Sequence, residues 1–251
     1  MNSTKKQVHS RSEREAAHSR AMAHRNPELA WGWGSPAGQM RFKRRASFIA
    51  EGARLGPGKS VLEIGCGTGM FTECFAQFGA SLLAVDLSGE LLEQARRRPL
   101  DPQKVRFVQG RFEDCGLDGP FDAIVGSSIL HHLELDPAIQ KIMELLCPGG
   151  WCCFAEPNLL NPQVYVERRF VFLRRWFWYV SPDETAFNRW RLARSLARAG
   201  FEEIRIEAFD WLHPAVPEKA IPIVSRLGHW LEHIPAIREF AGSLLIRFRR
   251  P

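Results

Sequence analysis

No run of about 18 uninterrupted apolar residues occurs in the 251-residue chain, which excludes an ordinary membrane-spanning helix. No cysteine pair has the CxxC spacing. The six cysteines (Cys66, Cys74, Cys115, Cys147, Cys152, Cys153) fall in or beside expected strands and helices, so neither a zinc site nor a dithiol redox motif is expected. A reducing, cytoplasmic compartment is the simplest reading of that usage. The first twenty residues lack the apolar stretch of a secretory signal and are polar and charged instead, so export is not expected. Low-complexity tracts are missing too, and with 45% hydrophobic residues most of the chain has enough apolar surface to fold.

What is present is an ordinary globular composition with a modest basic excess, 34 Lys and Arg against 28 Asp and Glu, net +6. That balance does not assign a nucleic-acid partner unless the charge is clustered. Residues 10–25 read as a polar helix. Three histidines lie in this arm (His9, His18, His24) without a cysteine or carboxylate at ligand spacing, so a surface helix is expected there and no metal site. Residues 31–38 (WGWGSPAG) read as a turn, and residues 39–54 as a helix with Phe42, Ala46, Ile49 and Ala53 on one face. Trp31 and Trp33 have two readings, closing over a ligand or anchoring the arm.

From residue 60 the pattern changes to short apolar runs alternating with helices. Strands are expected at 60–65, 81–87, 105–110, 121–128 and 150–157, with helices at about 69–79, 89–98, 135–146 and 183–199. Apolar strands alternating with helices argue for a parallel sheet covered on both faces. Adjacent Cys152 and Cys153 should then point to opposite faces. Two further strands are expected at 201–212 and 243–250, separated by short apolar helices punctuated by Pro214, Pro217, Pro222 and Pro235.

The most informative stretch is VLEIGCGTG (61–69), a strand running into Gly65-x-Gly67-x-Gly69 and then a helix. Glycines suit a tight turn where a ligand approaches bare backbone, and the helix start offers free N–H donors. Asp86 follows at the end of the next strand, where a carboxylate can accept hydrogen bonds from both ribose hydroxyls. Position 70 is Met, so the dinucleotide pattern GxGxxG is broken. Glu63-x-Gly65-x-Gly67-x-Gly69, Asp86 within AVDLS, Phe121-Asp122 and Leu146-x-Pro148-Gly149-Gly150 together resemble the ordered motifs of the class I S-adenosylmethionine-dependent methyltransferases, over about residues 40–160.

The resemblance implies an α/β, Rossmann-like fold: a seven-stranded, mostly parallel sheet in the order 3-2-1-4-5-7-6, with helices on both faces, an N-terminal helical arm and lid helices. It implies one domain over 1–251, divided into an arm (1–38), a cofactor-binding core (39–160) and lid segments with the last two strands (161–251). It also implies S-adenosyl-L-methionine as cofactor, bound around Glu63, Gly65, Cys66, Gly67 and Gly69, with Asp86 and Leu87 at the ribose. Arg111, Phe112 and Glu113 would lie at the adenine, and Ser127 at the end of the fourth strand. Arg111 departs from the acidic residue many relatives carry after Gly110, which leaves the adenine contact to Phe112.

In an open parallel sheet the ligand crevice lies outside the carboxyl ends of the strands. There His132, with His131 second, is the candidate base to unmask a hydroxyl acceptor. Glu156 and Asn158 could orient a substrate or finish a strand. Residues 164–180 (VYVERRFVFLRRWFWYV) place Val166, Phe170, Leu173, Phe177 and Val180 on one helical stripe, with arginines and further aromatics around it. A lid over the acceptor is preferred for it, then peripheral membrane contact, then stacking on RNA. No DNA partner is expected, because the fourth strand lacks an Asn/Asp-Pro-Pro-aromatic motif.

The sequence thus reads as a methyltransferase for a small, rather apolar acceptor, methylated at oxygen. The alternatives are an RNA-directed or a lipid- or quinone-directed enzyme, or a cofactor-binding subunit without catalysis.

Overall fold

A computed structural model describes residues 26–169 and 186–251. The expected arm helix at 10–25 and most of the stripe within 164–180 lie outside the described residues.

Residues β1 (Ser60–Ile64), β2 (Ser81–Asp86), β3 (Val105–Gln109), β4 (Phe121–Ser127), β5 (Leu146–Pro157), β6 (Glu202–Phe209) and β7 (Ser243–Arg249) form one sheet in the order β3-β2-β1-β4-β5-β7-β6. The pairs β1–β2, β2–β3, β1–β4 and β4–β5 are parallel. The last strand β7 runs antiparallel between β5 and β6. This is the Rossmann-like arrangement expected.

Each strand serves two cores because its side chains alternate faces. Leu62, Ile124, Cys152, Phe154, Ile246 and Phe248 belong to one cluster. Val61, Val125, Cys153 and Ala155 belong to the other. Cys152 and Cys153 thus point to opposite faces, as the sequence implied. On the first face pack α5 (Leu135–Leu145) and α7 (Arg189–Arg198), through Ile139, Ile142, Leu192 and Leu196. On the second lies α2 (Pro36–Gly52), burying Ala46, Ile49 and Ala50, beside α3 (Met70–Ala76) with Phe75. A Cβ on Gly52 would sit 2.5 Å from Cys153 Sγ, so α2 approaches the sheet at a glycine.

Several boundaries shift from the sequence reading. Helix α2 begins at Pro36, inside the expected turn, because Ser35 caps it by accepting from the Gly38 N–H at 3.0 Å and proline fits the first helical position. Strand β5 begins at Leu146, which pairs with Phe121, and the Pro148-Gly149-Gly150 turn becomes an irregularity in the ladder with Gly149 at φ +76°.

After β5 comes α6 (Pro162–Arg169). Its Val166 is partly exposed, whereas Glu167 is buried and receives a hydrogen bond from Gln163 at 2.8 Å. This corrects the expected inward stripe at that residue, since a hydrogen-bonded polar side chain takes the inner face. Between β6 and β7 lie a short turn (Glu218–Ala220), α8 (Ile221–Glu232) and α9 (Pro235–Arg238). No described helix is long and apolar enough to cross a membrane.

Candidate active site

The strand-to-helix turn after β1 is built from three glycines in the left-handed region, Gly65 (φ +69°), Gly67 (φ +52°) and Gly69 (φ +74°). At Gly65 a Cβ would lie 2.5 Å from the Ile129 side chain, and at Gly69 it would lie 2.9 Å from Ala95 Cβ. Both positions therefore exclude larger residues on space as well as on backbone conformation. The Gly65 and Cys66 N–H groups donate to Val85 O at 2.8 and 3.2 Å, which ties the turn to the end of β2.

Asp86 closes the opposite wall. Its Oδ2 accepts from Gly67 N at 2.7 Å and its Oδ1 from Ser88 N at 2.9 Å. Burial raises its pKa, opposed by these backbone bonds and by the charge of nearby His132. Each oxygen keeps acceptor capacity for a further donor. Beneath the turn, Glu63 is buried and its Oε2 has no hydrogen-bond partner. Burial pushes its carboxyl up to about 8, with the Thr72 hydroxyl pulling the other way and the Asp86 charge adding to the rise. An orphaned carboxyl oxygen behind a glycine turn, beside a ribose-type acid, suits a ligand bearing both an ammonium and a ribose.

The remaining expected cofactor residues separate into two groups. Ser127, at the end of β4, accepts from Arg45 at 3.4 Å, and Leu87 follows Asp86 with its carbonyl facing Gln109 Nε2 at 3.4 Å. Cys66 contributes backbone only, because its side chain is buried with Ala84 and Leu92, and burial drives its thiol pKa well up. Phe112 is likewise a core residue, with Lys141 Nζ 5.4 Å from its ring. Arg111 is tied to Glu113 at 3.3 Å and to Asp114 at 2.8 Å, while Glu113 also accepts from Glu134 N at 3.2 Å. These side chains shape the rim of the crevice by holding one another.

Glu156 does not line the crevice as an orienting group. It is fully buried: Oε1 accepts from Ile129 N and Leu130 N, both at 2.9 Å, and Oε2 lies 2.5 Å from His131 Nδ1. This corrects its expected substrate-orienting role, since the carboxylate is fully buried and its bonds fix the Leu130–His132 turn. Asn158 is likewise buried, donating to Glu239 O and Ala241 O at 2.8 and 2.7 Å. His131 is buried against the Glu156 carboxylate, whereas His132, its ring 4.2 Å from that of His131, is partly exposed. Of the two histidines, His132 is thus the one that can reach a ligand.

Three features escaped the sequence reading. The short α1 (Pro27–Ala30) brings Glu28 onto the glycine turn, where it accepts from Thr68 Oγ1 at 3.1 Å and pairs with Arg98. Arg98 also donates to Thr68 O at 2.6 Å and to Glu73 at 2.5 Å. Trp31 lies over Gly67, its ring 3.2 Å from where a Cβ would be, and Trp33 packs on Phe42, Phe71 and Met70. Trp33 thus anchors the arm, while Trp31 lies at the glycine turn. Second, Arg45 is buried, bonding Ser128 at 3.1 Å and Ser243 and lying 3.7 Å from Asp210. Burial lowers its pKa to about 10. Third, Asp210 takes Arg41 in a forked pair at 2.7 and 3.1 Å. Sequence offers no signal for the last two, because Arg41, Arg44 and Arg45 look like a solvated helix face.

Residues 62–154 match the family model described as a methyltransferase domain. Over these residues the chain is similar to methyltransferase domains. Nodulation protein S of Rhizobium tropici is 30% identical over 125 residues, 48% of this chain and 52% of that protein. The ubiquinone biosynthesis O-methyltransferase of Nitrosospira multiformis is 33% identical over 127 residues, 49% and 52% of the two chains. The chain thus spans about half the length of these curated relatives. The N-methyltransferase NodS of Bradyrhizobium japonicum, solved with S-adenosyl-L-homocysteine, has a TM-score of 0.62 at 18% identity, covering 94% of this chain and 98% of that one. At that identity the likeness is one of fold. The glycine turn and Asp86 lie at the carboxyl ends of β1 and β2, and among the described residues no group of three or more His, Cys, Asp or Glu side chains could hold a metal ion.

Proposed function

We propose that the chain is an S-adenosylmethionine-dependent methyltransferase acting on a small, rather apolar acceptor at a hydroxyl oxygen. The observation that carries this reading is the pairing of an ordered glycine turn with Asp86, whose oxygens are aimed by backbone N–H bonds. The bound cofactor would supply an electrophilic methyl on a sulfonium, an in-line leaving group that needs alignment more than acid catalysis. The residues of the chain do the rest. Asp86 would hold the ribose hydroxyls, Glu63 would face the ammonium side, and Trp31 over Gly67 would keep water from the turn. His132, on a turn fixed by Glu156, would take the acceptor proton. A cytoplasmic location fits six free thiols, three of them buried.

The likeness to a nodulation N-methyltransferase favours nitrogen as the second reading. The two differ in their need for a base, since a neutral amine attacks without one. Replacing His132 by Ala is expected to lower kcat at least about tenfold, within the range of general base catalysis, with the Kd for S-adenosylmethionine kept. Labelled-methyl transfer to fractionated extract, run on both proteins, reads this out. Unchanged kcat would remove His132 as base and favour an amine acceptor. No transfer by the wild type to any fraction, despite tight cofactor binding, would favour a subunit without catalysis.

A further inference from the structure

The loop from Asp210 to Gly242 carries the least expected surface. It leaves β6 at Phe209 and enters β7 at Ser243, and these residues align with Pro157 at the end of β5. The α8–α9 hairpin therefore sits at the carboxyl end of the sheet, the end that carries Ser127 and the glycine turn. Helix α8 turns one face inward: Ile221 is buried, and a Cβ on Gly228 would meet Trp211 Cβ at 3.0 Å. The opposite face is also apolar. Ile223, Leu227 and Trp230, spaced at i, i+4 and i+7, are 73%, 52% and 60% exposed. Ile237 on α9 and Phe240 just after it are exposed as well. Large apolar residues that recur on one outward helical face are not the scattered surface residues of an ordinary protein.

The exposed charge around this stripe is more basic than acidic. The cations Lys219 and Arg226 are exposed, with His229 and His233 exposed among them. Of the acidic residues in the loop, Asp210 is buried with Arg41, Glu232 is taken by Arg44 at 2.5 Å and Glu239 by Arg189 at 3.1 Å, so Glu218 alone is left exposed. A helix with an apolar stripe, an outward tryptophan and basic flanks matches the interface of an anionic bilayer, where the aromatic ring lies at headgroup depth and the cations meet lipid charge.

We propose that the outward face of α8, with α9, is a docking surface for an anionic lipid membrane. It is made of other residues than the aromatic segment at 164–180, and it holds whether the acceptor is an alcohol or an amine. Docked through it, the protein would lie with the carboxyl end of its sheet toward the bilayer.

The test is co-sedimentation of the whole chain with vesicles of phosphatidylcholine alone and of phosphatidylcholine with phosphatidylglycerol. Binding is expected to the second and not the first, and to fall with added salt. The double variant Leu227→Ser with Trp230→Ser is expected to lose at least about tenfold in partitioning, and Arg226→Glu to lose a smaller factor. All three substitutions lie at exposed positions, so thermal melting and S-adenosylmethionine binding should stay as in the wild type. No binding to either vesicle would overturn the proposal. So would undiminished binding by both variants, which would move the contact to another part of the chain. A wild-type dimer that the double variant converts to monomer, without vesicle binding, would make the face a contact between two copies and end the membrane reading.

Discussion

Glu63 is the residue at which folding and ligand binding oppose each other. Its carboxyl is raised from 4.5 to about 8 by burial, so the folded, ligand-free protein holds a proton there that the unfolded chain has released. A raised carboxyl pKa leaves stability intact below the unfolded value and drains it as pH rises toward the folded value. The expected slope is a loss of up to about 1.4 kcal/mol per pH unit between those limits. In Glu63→Gln this slope should vanish, and the variant should exceed the wild type in stability near the upper end of the window. Urea denaturation of both ligand-free proteins across the window measures it. Parallel pH profiles would mean that the Glu63 carboxyl stays ionised. A destabilising acid held at this point of the fold is accounted for by a ligand cation, since an orphaned oxygen left buried otherwise costs about 1–3 kcal/mol.

At the scale of elements, the arm and the α4 (Gly89–Arg96) end meet through one guanidinium. Arg98 gathers Glu28, Glu73 and the Thr68 carbonyl, which fastens α1 to the glycine turn and lays Trp31 over Gly67. The three side chains are between a fifth and about a third exposed, so screening limits the stability at stake to about 1 kcal/mol or less. Arg98→Ala should therefore leave the melting temperature nearly unchanged. Its effect should appear in the Kd for S-adenosylmethionine, weakened about fivefold by calorimetry if Trp31 covers the ligand. An unchanged Kd would make the arm an anchor only. The clamp also shows where sequence reading stops. Strand periodicity made β1 to β5 legible, because buried strands between helices have few alternatives, and the glycine spacing with Asp86 located the crevice. Glu156 was read as a carboxylate that could orient a substrate because strand ends at this edge face ligand. Nothing local reveals that the Ile129 and Leu130 N–H groups and His131 would consume both of its oxygens. Arg45 and Arg98 escaped for the same reason, as their partners lie far off in sequence.

For the whole molecule the question is whether the cofactor core stands alone. The motifs and the matched domain end by residue 154, yet β5 has β7 as its second neighbour, and β7 alone joins β6 to the sheet. Leu244, Ile246 and Phe248 on β7 are fully buried, with the Phe248 ring 4.6 Å from Phe201 and 6.2 Å from Phe154. Removing residues 243–251 would forfeit these three side chains at about 1.5–3 kcal/mol each. It would also bare the apolar residues of β5 and β6 that they cover and leave β5 with an open edge. Against a total stability of about 5–15 kcal/mol for a domain of ordinary size, that loss is enough to unfold the sheet. The truncated chain should therefore show no cooperative thermal transition and no S-adenosylmethionine binding, although every cofactor motif is intact. Cooperative melting with retained binding would instead show that the core at 39–160 folds as an independent unit and that the last two strands are an appendage. The expected outcome makes the final strand, on which no cofactor motif lies, a condition for the glycine turn and Asp86 to meet.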